Sequence, residues 1–168
     1  MKFILLAFLS IAISNSIVAQ EDENQNFAAP KHVIHVSAGT FFITASGNIS
    51  YDYRIAQNET GFFKSYYATL KGGYQYIGTF SGLNTEGPII TAGVTGLTGT
   101  GKGHMEANLG LSYLIGRTND DPVDGDTDEG VLLPYFSIGY RKQVSNGLVF
   151  RTGVGFVDGA YIGLGYSF

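Results

Sequence analysis

The sequence predicts an all-β chain that closes into an antiparallel barrel of about eight strands in up-and-down order. Three observations carry that expectation. Side chains alternate at period two along nearly every segment after residue 31, and the two faces so defined differ sharply in chemistry. Charged residues make up only 14% of the 168 residues, against about 25% in an ordinary soluble domain, whereas Gly (24), Tyr (11) and Phe (12) are abundant. The connections between the alternating runs also differ in kind from one end of the runs to the other.

Residues 1–19 read as a secretory signal peptide. Lys2 supplies a positive start, Phe3 to Ile13 an apolar run, and Ser14 to Ala19 small residues suited to cleavage. Cleavage is expected after Ala19, although Ile17 is then bulky at the third position back; cleavage after Ser16 would place Ser14 there instead. The apolar run is shorter than the roughly 18 to 20 residues a helical span needs, so a retained anchor is the weaker reading. The rest of the chain has the size of one domain. It has no Cys, hence neither a disulfide nor the acceptor thiol of a lipoprotein. A net charge of −4 with no basic cluster along the sequence argues against nucleic acid as a partner.

Residues 20–31 (QEDENQNFAAPK) are polar and acidic without periodicity, which predicts a flexible lead on the periplasmic side. The barrel is expected over residues 32–168, with strands near 32–43, 48–57, 62–76, 88–98, 103–116, 131–143, 148–157 and 160–168. In the second run Ile49, Tyr51, Tyr53 and Ile55 oppose Ser50, Asp52 and Arg54. In the fifth, Met105, Ala107, Leu109, Leu111, Tyr113 and Ile115 oppose His104, Glu106, Asn108, Gly110 and Ser112. Connections at residues 57–61, 99–102 and 144–147 are tight, the last containing Asn-Gly, a strong hairpin signal. The other end carries 44–47, 78–87, 117–130 and 157–159; two of these are long, which assigns that end to the cell exterior. A soluble lipocalin-like barrel is the alternative, with its apolar face turned inward. It would need an outer face rich in Lys and Glu, yet the polar face here is mostly Gly, Ser, Thr and Asn.

The C-terminal strand Gly163-Leu164-Gly165-Tyr166-Ser167-Phe168 is amphipathic and ends on an aromatic residue. Its apolar positions Ile162, Leu164, Tyr166 and Phe168 resemble the signal that the barrel-assembly machinery reads in bacterial outer-membrane proteins. Ile138-Gly139-Tyr140-Arg141, then Leu148 to Gly153, then this ending resemble small outer-membrane β-barrel proteins of Bacteroidota over roughly residues 103–168. The resemblance implies fold and location, namely export to the bacterial outer membrane with its lipids and lipopolysaccharide as surroundings. It implies no activity.

Inward-facing Asp52, Arg54, Lys71, Glu106, Arg141 and Arg151 are expected to form a charge network plugging the lumen, because an isolated buried charge costs several kcal/mol. His35 and His104 share that face near the periplasmic end. Some small outer-membrane barrels are lipid-modifying enzymes acting at the outer leaflet, but His32, His35 and His104 all open outward-running strands and lie at the far end from such a substrate. No catalytic residue and no cofactor is therefore expected. In the loop Asn119 to Gly130, Asp124, Asp126 and Asp128 have the one-three-five spacing of a calcium loop, but Glu129 stands where the turn Gly belongs. A solvated acidic loop, or one bridged to lipopolysaccharide by divalent ions, is the competing reading. The functions left open are a structural or surface-interaction barrel, a diffusion barrel for small apolar solutes, and an enzyme, in that order.

Overall fold

The computed structural model describes residues 29–41, 44–78, 84–115, 117–118, 130–144 and 146–168. The strands are β1 (His32–Phe41), β2 (Thr44–Gln57), β3 (Phe63–Gly78), β4 (Asn84–Thr98), β5 (Gly103–Ile115), β6 (Arg117–Thr118), β7 (Gly130–Lys142), β8 (Gly147–Gly155) and β9 (Gly159–Ser167). Each long strand pairs antiparallel with its sequence neighbour, and β1 pairs with β9 to close the ring. The two-residue β6 continues β5 along β4, setting Arg117 opposite Glu86. The result is an up-and-down barrel of eight staves closed by the β1–β9 pairing, with residues 130–135 of β7 extending beyond the end of β8.

The expected runs become strands, and several extend further. Thr44 to Gly47, expected as a connection, is strand, because it pairs on one side with Gly47↔Ala38 to Thr44↔Phe41 and on the other with Tyr74 to Ile77. A register shift between Arg54 and Ala56 puts a bulge at Ile55, near the end where β1 begins. That end is called proximal below; the end where β1 meets β2 is distal.

Apolar side chains point outward. Leu109 and Ile138 are 71% and 62% exposed, and the same holds for Val36, Ile49, Leu70, Ile90 and Leu164. The opposite positions, among them Asp52, Gln75, Ser112 and Arg141, are fully buried. This is the inverse of a soluble barrel, whose apolar residues would line the inside, and the lipocalin-like alternative is thereby set aside. Outward aromatics gather toward the ends of the wall: Tyr51, Tyr53, Phe62, Tyr140 and Phe168 proximally, Tyr74, Tyr76 and Tyr113 distally.

Eight staves leave an interior just wide enough for side chains to fill. It is layered. Val33, Tyr67, Leu97 and Val149 form an apolar layer at the proximal end, and Ile89, Leu114, Tyr135 and Val157 form one at the distal end. Between them lies the polar interior.

Candidate functional site: the charged barrel interior

Inward parity on β1, β2, β5, β7 and β8 delivers His35, Asp52, Glu106, Arg141 and Arg151 to one level of the lumen. Arg141 reaches across to Asp52, with Nη2 2.6 Å from Oδ2, and its Nε donates to Glu106. Arg151 grips the same Glu106 carboxylate through Nε, 3.1 Å from each oxygen, and through Nη2. Its Nη1 donates to the His35 ring, 2.6 Å from Nε2. A guanidinium can only donate, so a ring nitrogen of His35 accepts from it, Nδ1 also lying 2.9 Å from Nη1, and Nε2 is in turn 3.3 Å from Asp52 Oδ2. The remaining carboxylate lone pairs are taken by neutral donors. Thr69 donates to Asp52 at 2.9 Å, and Asn108 and Tyr161 donate to Glu106 at 2.9 and 3.3 Å.

Tyr161 reaches Glu106 because the wall beside it carries no side chains. Gly139 and Gly153 face each other across β7 and β8, and a Cβ on either would stand 2.7 or 2.6 Å from the Tyr161 hydroxyl. Only a glycine pair leaves room for that ring.

A second cluster lies nearer the distal end. The turn between β8 and β9 folds into the lumen, so that Val157 and Asp158 are buried. Asp158 receives Lys71 Nζ at 2.7 and 2.9 Å, Asn48 Nδ2 at 3.2 Å and the Tyr135 hydroxyl at 3.0 Å. Gln75 Nε2 donates to the Val157 carbonyl at 2.9 Å, and Lys71 sits 4.0 Å above the Tyr135 ring. Gly39 is needed here too, since a Cβ on it would collide with the Asp158 carbonyl.

Of the six charges expected to form one network, Asp52, Glu106, Arg141 and Arg151 meet. Lys71 belongs to the separate distal cluster, because its stave brings it level with Asp158 rather than with the carboxylates below. Arg54 is a correction. It is half-buried at the proximal mouth, where its side chain donates to the Ala29 carbonyl and, at 3.0 Å, to Gln57. The adjacent bulge ends the regular ladder there and leaves Arg54 to tie down the incoming chain, together with Tyr67, whose hydroxyl donates to the Pro30 carbonyl at 3.0 Å. Asp158 was missed because a charged residue before Gly in a short connection reads as a turn residue. Tyr135 and Tyr161 could have been found from parity, since each opposes the outward Phe136 or Ile162.

Ile162, Leu164, Tyr166 and Phe168 all face outward, at 50 to 59% exposure. Phe168 stacks on His32 with ring centroids 5.4 Å apart, and His32 Nδ1 lies 2.6 Å from the Tyr51 hydroxyl. His104 Nδ1 meets the Thr98 carbonyl at 2.7 Å, pinning its ring to the β4–β5 hairpin. Asp124, Asp126 and Asp128 lie outside the described residues, as do the expected signal peptide and most of the lead. Among the described residues no group of three His, Asp or Glu side chains is arranged to hold a metal ion.

Chemically, the interior is a set of matched charges. Two carboxylates meet two guanidiniums at one level, and one carboxylate meets one ammonium at the other. With apolar layers at both ends, the described lumen is filled by its own side chains.

No known protein family matches the sequence, and no curated protein sequence does. The fold is that of solved outer-membrane barrels. The N-terminal β-barrel domain of Pseudomonas aeruginosa OprF is similar with a TM-score of 0.58 and 13% identity, over 83% of this chain and 98% of that one. Two structures of Ail, the attachment invasion locus protein of Yersinia pestis, are similar with TM-scores of 0.46 and 0.47. Their identities are 8% and 9%, each covers 82% of this chain, and the matches span 94% and 93% of Ail; the first is a complex with the heparin analogue sucrose octasulfate.

Proposed function

We propose that this protein is a bacterial outer-membrane barrel with a closed interior, and that its role is structural or one of surface interaction through the distal connections. The observation that carries the reading is the pairing of an apolar outer wall with a lumen packed by balanced ion pairs. Such a wall is stable only in a bilayer, and over the described residues such a lumen is filled by its own side chains, leaving no room for a continuous water path. Proximal then means periplasmic and distal extracellular. Membership of the small barrels of Bacteroidota rests on the segments 138–141 and 148–153 and on the C-terminal strand. That strand's outward Ile162, Leu164, Tyr166 and Phe168 are the positions offered to the barrel-assembly machinery. The protein is not an enzyme in this reading. His35 and Glu106 are each engaged by a guanidinium, and all three histidines lie toward the periplasmic end.

Two measurements test it. The protein should fractionate with outer membranes and migrate differently on a denaturing gel when unboiled; recovery in the soluble periplasm would defeat the location. Reconstituted in a planar bilayer, it should show no steady conductance. A persistent open channel would defeat the closed interior.

A further inference from the structure

The side chain of Asp158 is gripped by the wall alone. Its Oδ1 accepts from Lys71 Nζ at 2.7 Å and from Asn48 Nδ2 at 3.2 Å, and its Oδ2 from Lys71 Nζ at 2.9 Å and from the Tyr135 hydroxyl at 3.0 Å. These donors stand on β2, β3 and β7, whereas the carboxylate arrives on the turn between β8 and β9. Inward parity fixes all three, so the cradle is built by the staves and not by its occupant. Gly73 makes room for it, since a Cβ there would run into the Asn48 side chain. Asp52 and Glu106 are taken up by the arginines, so among the described residues no other carboxylate pairs with Lys71.

The turn is only lightly tied to the sheet. Phe156 N–H donates to the Phe136 carbonyl at 3.0 Å. Bonded pairs in an antiparallel ladder recur every second residue, so the next would set Asp158 opposite Pro134, which has no N–H to give. The ladder stops there, and residues 130–135 of β7 rise beyond it without a strand on that side among the described residues. Gly155 and Gly159 flank the turn, the second at a φ of 69° that favours glycine. What holds the turn inside is chiefly its contacts with side chains of the wall.

We propose that Lys71, Asn48 and Tyr135 form a carboxylate-binding site whose resident ligand is the tethered Asp158, and that a small free carboxylate entering from the distal mouth takes its place. The inference goes beyond the closed-barrel reading and needs only the fold. A buried ammonium deprived of its counter-charge is costly, so the emptied cradle attracts an anion, and its donors are set for two oxygens of one carboxyl group. The tether gives Asp158 an effective concentration on the order of millimolar or more, which keeps the turn inside until a competing carboxylate is abundant.

The test uses the purified protein folded in detergent micelles, with formate as the probe and chloride at equal ionic strength as the control. Asp158→Ala keeps the Cβ and deletes only a group the size of formate. It should bind formate saturably by calorimetry, and at about ten times the dissociation constant its folded-to-unfolded ratio in urea should rise about tenfold. The unaltered protein, with its cradle filled, should gain less than about twofold. Adding Lys71→Met to Asp158→Ala should abolish the binding. Exchange is read in the Val157→Cys variant by labelling with a water-soluble maleimide. Labelling should quicken by about twofold at the formate concentration that half-saturates Asp158→Ala, and Lys71→Met should remove that response. Folded Asp158→Ala without saturable formate binding, or binding that survives Lys71→Met, would overturn the site. Labelling of Val157→Cys that ignores formate would overturn the exchange, and it decides the matter alone if Asp158→Ala fails to show the unboiled gel shift of a folded barrel.

Discussion

Arg141 on β7 and Asp52 on β2 sit four staves apart in an eight-stave ring, yet Nη2 and Oδ2 are 2.6 Å from each other. The pair is a strut across the full width of the barrel. Both side chains are wholly buried, and Glu106 binds Arg141 from the adjoining stave, so the strut is part of a continuous brace.

Removing one end of a buried ion pair leaves the other charge unsolvated, a loss of roughly 3 to 5 kcal/mol. Asp52→Asn is expected near the lower figure, about 3 kcal/mol, because Arg141 keeps Glu106. Arg141→Met should cost at least as much, since it strips a partner from two carboxylates. The double variant should be well short of the sum of the two, because its second change removes a charge already unpaired. Urea unfolding in lipid vesicles gives all three values. Strict additivity would mean that the strut carries no coupling.

The wall of this barrel was legible in the sequence and the interior only partly so, for a physical reason. Parity is a local property. One-residue alternation puts Leu109 outside and Glu106 inside whatever happens elsewhere in the chain, so the strands and their two faces could be read off directly. Which inward charge meets which depends instead on the stagger between staves, and that is set by pairings such as Glu106↔Gly139 that no local pattern records. Lys71 was therefore correctly turned inward but assigned the wrong companions. Asp158 escaped notice because nothing in Val157-Asp158-Gly159 distinguishes a turn that projects outward from one that folds back inside.

The inward turn offers a second expectation. Gly39 is the floor on which the Asp158 carbonyl rests, and any larger side chain must displace it. The chain lacks Cys, so Val157→Cys introduces a unique thiol at a buried site. That thiol should react slowly with a water-soluble maleimide in the folded protein. Adding Gly39→Val should raise the labelling rate by at least about tenfold, corresponding to about 1.4 kcal/mol of lost closure. Unchanged protection would show that the turn is held by the Lys71 and Tyr135 contacts alone.

Gly139 and Gly153 should not tolerate a side chain. Ala at either position forces the Tyr161 hydroxyl away from Glu106, so each substitution combines a steric clash with loss of a buried hydrogen bond. A cost of about 2 to 4 kcal/mol is expected in the same unfolding assay, within the range of overpacked sites that also lose a polar contact. Adding Tyr161→Phe to Gly139→Ala should recover only part of the loss, because removing the hydroxyl relieves one contact while the nearer one, to the Thr152 carbonyl, remains. No recovery would mean that the backbone contact alone sets the cost.

Phe168 separates stability from biogenesis in one residue. Its backbone helps to close the ring, since its N–H donates to the His32 carbonyl at 2.9 Å and its carbonyl accepts from His32 N–H at 3.0 Å. Its side chain does something else, facing outward at 54% exposure and stacking on the His32 ring. Phe168→Ala leaves both backbone bonds in place and removes only the ring. The loss of apolar burial is then at most about 1 to 3 kcal/mol, tolerable for a barrel whose wall is closed by the β1–β9 pairing. Purified Phe168→Ala should consequently refold from denaturant into detergent micelles with a yield close to that of the unaltered protein. Delivery in cells is a different process, in which, on the proposed function, the assembly machinery would read the outward aromatic of the last strand before any lipid surrounds it. Outer-membrane levels of the variant should fall sharply there, and Phe168→Tyr, which keeps an aromatic ring in the same place, should restore them. Equal loss in micelles and in cells would make Phe168 a structural residue. Full assembly of Phe168→Ala in cells would mean that the ring is not read at all.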